Sequence, residues 1–77
     1  MEKIIVLSDH ATKRLKMDRQ RGVDEIDVTS AAARFPGYIK TSMRFRGFKS
    51  AKGATFDLIL RDFPRFRRVI TIIGKGA

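Results

Sequence analysis

The stretch TFDLILRDFPRFRRVITII, residues 55–73, decides the fold. Within it, Phe56, Leu58 and Leu60 alternate with Asp57, Ile59 and Arg61, the period of two expected of a strand with one face against a core. Asp62-Phe63-Pro64-Arg65 reads as a turn. Residues 66–73 then read as a further strand, whose centre Val69-Ile70-Thr71-Ile72-Ile73 is apolar on both faces, as in strands interior to a sheet. On the N-terminal side, residues 49–53 form a polar, glycine-ended turn. Before it, in residues 38–48, Ile39, Met43 and Phe45 alternate with Lys40, Ser42, Arg44 and Arg46. The three alternating segments predict an antiparallel meander.

The first half changes period. Residues 3–7, Lys3-Ile4-Ile5-Val6-Leu7, are short and β-branched and predict a strand. Ser8 or Asp9 can cap a helix running from about His10 to Gln20, with Ala11, Leu15 and Met17 inward and Gly22 ending it. Asp24 opens a second helix, with Asp27 three positions on as a weak capping box. Val28, Ala31, Ala32 and Phe35 fall at i, i+3, i+4 and i+7, one helical stripe, and Pro36-Gly37 stops it. The expected class is α+β: a short N-terminal strand and two helices packed on one face of an antiparallel sheet, whose last three strands form the meander. The sheet's other face is left partly open. Residues 1–77 make a single domain, with 74–77 as a loose tail.

Composition narrows the function classes. A chain of 77 residues buries little more than ~60% of its unfolded surface, so the core is small. There is no cysteine and one histidine, which excludes thiolate chemistry, disulfides and a zinc cluster, and no metal or cofactor is expected. No apolar run approaches the ~20 residues of a membrane span, and the start lacks a signal-like apolar region, so the expected location is cytoplasmic.

Charge is the informative number. Residues 1–33 hold six basic and six acidic side chains, whereas residues 34–77 hold eleven basic side chains against Asp57 and Asp62. The whole surplus of +9 therefore sits in the second part. Such asymmetry in a small domain points to a polyanion, most often nucleic acid. On the meander, Lys40, Arg44 and Arg46 share one face with Tyr38 and Phe48, and Arg61, Arg65, Arg67 and Arg68 add charge from adjoining strands and the turn. Cations interleaved with aromatics suit a phosphate backbone with unstacked bases beside it. An exposed sheet face carries polar residues in any case, but that explains the charge without explaining the scarcity of acids. The central expectation is that the cations from Arg34 onward gather into a continuous surface.

A second constellation is His10, Lys13 and Arg14, at i, i+3 and i+4 on one helix side, which Arg21 could extend. A histidine beside cations can act as general acid or base on a phosphodiester while arginine stabilises developing charge. A lone histidine near a helix start also commonly caps or packs. Paired-carboxylate chemistry, a phosphate-cradling glycine loop and a Ser-His-Asp set find no support in the residue pattern.

With these motifs placed, His10-Ala11-x-x-Arg14 after a short strand, Arg21-Gly22-Val23 before an acidic helix start, and a basic meander ending in residues 69–73 resemble a small bacterial and phage domain family of unknown function. That family is grouped with BrnT- and RelE-type ribonuclease toxins. The resemblance implies helices on one face of a compact sheet and an RNA-directed surface on the sheet. It carries His10 and Arg14 over as the helix motif and puts Arg44, Arg61, Arg46 and Thr71 where substrate is contacted. Two departures stand out: Ile73 lies where relatives often carry an aromatic or basic residue, and no second histidine is present. The implied activity is a metal-independent endoribonuclease. In it the 2′-hydroxyl attacks the adjacent phosphate, His10 or a lysine moves the proton, and Arg14, Arg44 and Arg61 stabilise the pentavalent phosphate. An acidic antitoxin would be the partner. Two alternatives stay open, a non-catalytic nucleic-acid-binding module and a phage- or plasmid-encoded inhibitor of a host nucleic-acid-processing protein.

Overall fold

The computed structural model describes residues 4–16 and 22–74. The elements are β1 (Ile4–Leu7), α1 (Asp9–Leu15), α2 (Glu25–Ala33), β2 (Met43–Lys49), β3 (Thr55–Phe63) and β4 (Phe66–Gly74). They form a four-stranded sheet in the order β1-β4-β3-β2. The α+β class and the meander are as the alternation predicts: β2 pairs antiparallel with β3, and β3 with β4. β1 joins parallel to β4, so the sheet is mixed. β4, apolar on both faces, is interior as expected.

Local chemistry sets the helix starts. The Ser8 hydroxyl accepts from the Ala11 amide at 3.1 Å, satisfying one of the amides that α1 leaves unpaired. Asp27 accepts from the Asp24 amide at 2.9 Å, which is the expected box at the start of α2. α1 is described only to Lys16; the expected continuation through Met17 to Gln20 lies outside the described residues, as does Arg21. Along α2, Val28, Ala31 and Ala32 are buried, and Phe35 packs against the core just past the helix end.

The core lies between the helices and one sheet face. Phe56, Leu58 and Leu60 of β3 and Val69 and Ile72 of β4 have no exposed surface. Each such side chain contributes about 1.5–3 kcal/mol by leaving water. Phe35 bridges this core to the sheet edge, with its ring centroid 4.3 Å from Phe45 and 5.7 Å from Phe48. Phe48 in turn stacks on Phe56 at 5.5 Å.

Two irregularities redirect side chains. The β2–β3 register shifts between Phe45 and Phe48, and Gly47 takes a left-handed φ of 83° there. Simple alternation puts Phe48 with the cations, but this bulge turns it inward beside Phe45. The β3–β4 register shifts between Ile59 and Leu60, which leaves Ile70 without a counterpart and lets Val69 and Ile72 face the same core. Strand β2 also starts later than the alternation implies. Residues 38–42 lie outside it, Met43 is exposed, and Ile39 is buried where it bonds Asp62 of β3.

β1 is too short to cover β4, and α1 completes the edge. Beyond Leu7, the Ser8 amide donates to the Val69 carbonyl at 3.0 Å and the Ser8 hydroxyl to the Ile70 carbonyl at 2.7 Å. The Arg14 Nε donates to the Ile72 carbonyl at 2.6 Å.

Candidate nucleic-acid interface

The sheet face away from the helices carries the side chains of opposite parity to the core. On β3 these are Asp57, Ile59, Arg61 and Phe63. On the first part of β4 they are Phe66 and Arg68, because Arg67 and Val69 point inward. On β1 they are Ile4 and Val6, which lie beside Phe66 and Arg68 in register and are exposed.

Both acids of the second half are buried, and each withdraws one arginine. Asp57 is 1% exposed, yet it lies on the open face. Arg44 reaches its Oδ2 with Nε at 3.1 Å and Nη2 at 2.8 Å, while the Gly47 amide donates to Oδ1 at 3.1 Å. Arg44, expected to meet substrate phosphate, is therefore paired with a carboxylate that also holds the Gly47 amide of the bulge.

Arg67 requires a firmer correction. It was expected on the binding surface, but it is 1% exposed on the helix side. Its Nε and Nη2 donate to the two Asp62 oxygens at 2.6 and 3.0 Å. Nη1 donates to the carbonyls of Ala32 and Phe35 at 2.7 and 2.8 Å, and Nη2 also donates to Gly37 at 3.2 Å. All five guanidinium N–H groups thus have acceptors, as burial of a cation demands. Arg67 closes the C-terminal end of α2 and is unavailable to a ligand.

Of the other cations from Arg34 onward, Arg34, Lys40, Arg46, Lys49, Lys52, Arg61, Arg65 and Arg68 are exposed, and Lys75 lies outside the described residues. They are distributed along the sheet, with Arg46 on β2 between its two ends. Lys49 and Lys52 flank the β2–β3 turn, and Lys49 joins Arg34, Ser30 and Asp27 around a shallow groove beside α2. Arg61, Arg65 and Arg68 gather at the opposite end of the sheet, around the β3–β4 turn. Lys40 belongs to that end too, since the preceding Ile39 accepts from the Asp62 amide at 2.8 Å. Tyr38, 55% exposed, lies in the same loop rather than on a strand.

At the β3–β4 end the charge meets aromatic surface. Phe63 and Phe66, register partners, stack with centroids 4.9 Å apart and planes 15° from parallel. The guanidinium carbons of Arg61 and Arg68, themselves register partners, stand 5.1 and 5.8 Å from the Phe63 centroid. Like charges placed opposite each other repel, so the ring's negative face helps to hold the pair together, at about 0.5–1 kcal/mol per exposed contact. Neither arginine makes an ion pair among the described residues. Sequence reasoning names Arg61, Arg65 and Arg68 but misses Phe63 and Phe66, because Asp62-Phe63-Pro64-Arg65 carries the composition of a turn throughout. The strand in fact continues through Phe63 and puts its ring on the open face.

The expected catalytic set is not brought to one point. His10 is exposed on α1. Arg14 is half-buried on the edge of β4 at Ile72, while Arg61 pairs with Arg68 near the far end of that strand. Arg44 is two strands away from β4. Lys13 is exposed beside His10, and Thr71 is half-buried opposite Ile59. No cluster of metal-ligating side chains occurs among the described residues. No helix among them is long and apolar enough to cross a membrane.

Neither a family model nor a curated protein nor a solved structure matches this chain.

Proposed function

We propose that this protein is an RNA-binding domain that grips the sugar–phosphate backbone with the cations at the β3–β4 end of its open sheet face. One observation carries the reading: Arg61, Arg65 and Arg68 converge there, exposed and without acidic partners among the described residues, although the only two acids of that half lie close by in sequence. Both carboxylates are buried and neutralised by other arginines, which leaves the surface positive. Such a surface attracts phosphates and releases their counterions.

Binding is favoured over cleavage by the placement of His10. A general acid or base must reach the reacting oxygen, directly or through one water. His10 stands on α1, apart from the arginine cluster, and Arg44 is committed to Asp57. The toxin-like version keeps its own test. Induced expression that degrades RNA with the wild type but not with His10→Ala would establish it, and an acidic antitoxin would then compete for the same cations.

The binding reading is tested by charge removal at the two ends of the sheet. Affinity for a labelled single-stranded RNA should fall at least about tenfold in Arg61→Ala/Arg68→Ala, two phosphate contacts being lost. It should change far less in Lys49→Ala/Lys52→Ala. Equal losses, or no binding by the wild type at low salt, would refute the location or the reading respectively.

A further inference from the structure

We infer that the Phe63–Phe66 pair is a stacking platform for one unpaired base, so that the site selects single strands bearing bases over a bare phosphate chain. This inference rests on the RNA-binding reading and adds what the cations alone cannot supply. A guanidinium row holds any polyanion; an aromatic plane holds only a ligand with a π-face.

The geometry carries the argument. The two rings are nearly coplanar in orientation, 15° apart, and so offer a stack that a third planar group can extend. They are half-buried on the open face rather than sealed in the core. Phe66 is in register with Ile4 on the next strand, 67% exposed, which adds apolar surface beside the ring and no competing hydrogen-bond group. Arg61 and Arg68 hold their guanidinium carbons 5.1 and 5.8 Å from the Phe63 centroid, so the cations border the stack on the Phe63 side and leave extension by a base to the Phe66 side. Arg65 sits in the turn between the rings, exposed. In the core, by contrast, Phe35 meets Phe45 and Phe48 at tilted and edge angles, and the one stacked pair there, Phe48 on Phe56, is closed to a ligand because Phe56 has no exposed surface.

A base paired in a duplex has its faces occupied by neighbouring base pairs, so only an unstacked one can use this platform. The partner class is therefore single-stranded RNA or the looped part of a structured RNA, with sequence tolerance because every base presents a π-face.

The test compares a labelled ten-nucleotide oligoadenylate with an abasic strand of the same length and charge, at one salt concentration. The wild type should bind the base-bearing strand about tenfold more tightly, the difference that stacking of a single base supplies. Phe66→Leu, which keeps an apolar side chain in the strand, should abolish the difference while still binding both strands. Phe66→Trp introduces the chain's only tryptophan, and its fluorescence should be quenched by the base-bearing strand but not by the abasic one. Equal wild-type affinity for the two strands, or equal quenching, would overturn the platform and leave the RNA-binding reading standing. Failure to bind either strand would overturn both.

Discussion

Arg67 looks like one more cation of a basic face, yet it contributes nothing to that face. Its five donors fasten β4 to the end of α2 and to Asp62, whose Oδ2 also accepts from the Ile39 amide at 2.8 Å. Removing the guanidinium would take the arginine's donors from a buried carboxylate and from three backbone carbonyls. Arg67→Met should therefore cost about 3–5 kcal/mol, the usual penalty for breaking a buried pair. Against a total stability of about 5–15 kcal/mol, that is enough to unfold much of the population. Arg61→Met, at an exposed position, should cost less than about 1 kcal/mol. Denaturant titration of the two variants checks this, and equal midpoints would refute the assignment. Nothing in the local sequence separates Arg67 from Arg65 or Arg68. The difference arises because the pleat turns alternate residues inward and Asp62, five positions earlier, has the same inward parity.

At the scale of elements, the sequence was most legible where a periodic pattern met a clear stop. The alternation in residues 55–61, the stripe of Val28, Ala31 and Ala32, the Asp24–Asp27 box and the Pro36-Gly37 stop all read directly. It was least legible where one residue changed the parity of a strand. Phe48 moved from the charged face to the core because Gly47 absorbs a bulge, and the register slip at Ile70 has no sequence mark at all. The parallel pairing of β1 was hidden for a related reason: four residues carry no signal of direction. A Cβ built at Gly47 meets nothing within 4 Å, so only the left-handed backbone resists substitution. Gly47→Ala should cost about 1–2 kcal/mol. Gly47→Asn should cost less, since asparagine tolerates that conformation better. If alanine and asparagine prove equally harmless by thermal unfolding, the bulge is not as described. Ser8 serves the edge of β4 as well as the start of α1, so Ser8→Ala should lose about 1–2 kcal/mol, at the upper end for a cap. A loss below a few tenths would show that water replaces both bonds.

The whole molecule divides its charge between structure and surface. Two arginines neutralise two buried acids, one at each face of the sheet, Arg14 ties α1 to the edge of β4, and the other described lysines and arginines stay exposed. Candidate site residues were therefore half legible. Composition located the basic half and named Arg61, Arg65 and Arg68. It could not show that Arg44 is paired with Asp57 and Arg67 buried against Asp62, or that Phe63 and Phe66 come together, since ion pairing and ring stacking depend on cross-strand register. The proposed RNA surface at the β3–β4 end works by gripping phosphates. The salt dependence of affinity tests it most directly. With Lys40, Arg61, Arg65 and Arg68 on phosphates, log K for a single strand should fall against log salt with a slope of about −3, at ~0.7 per contact. Arg61→Ala/Arg68→Ala should flatten that slope to about −1.5. A slope near zero in the wild type, or one that the double substitution leaves unchanged, would contradict the claim.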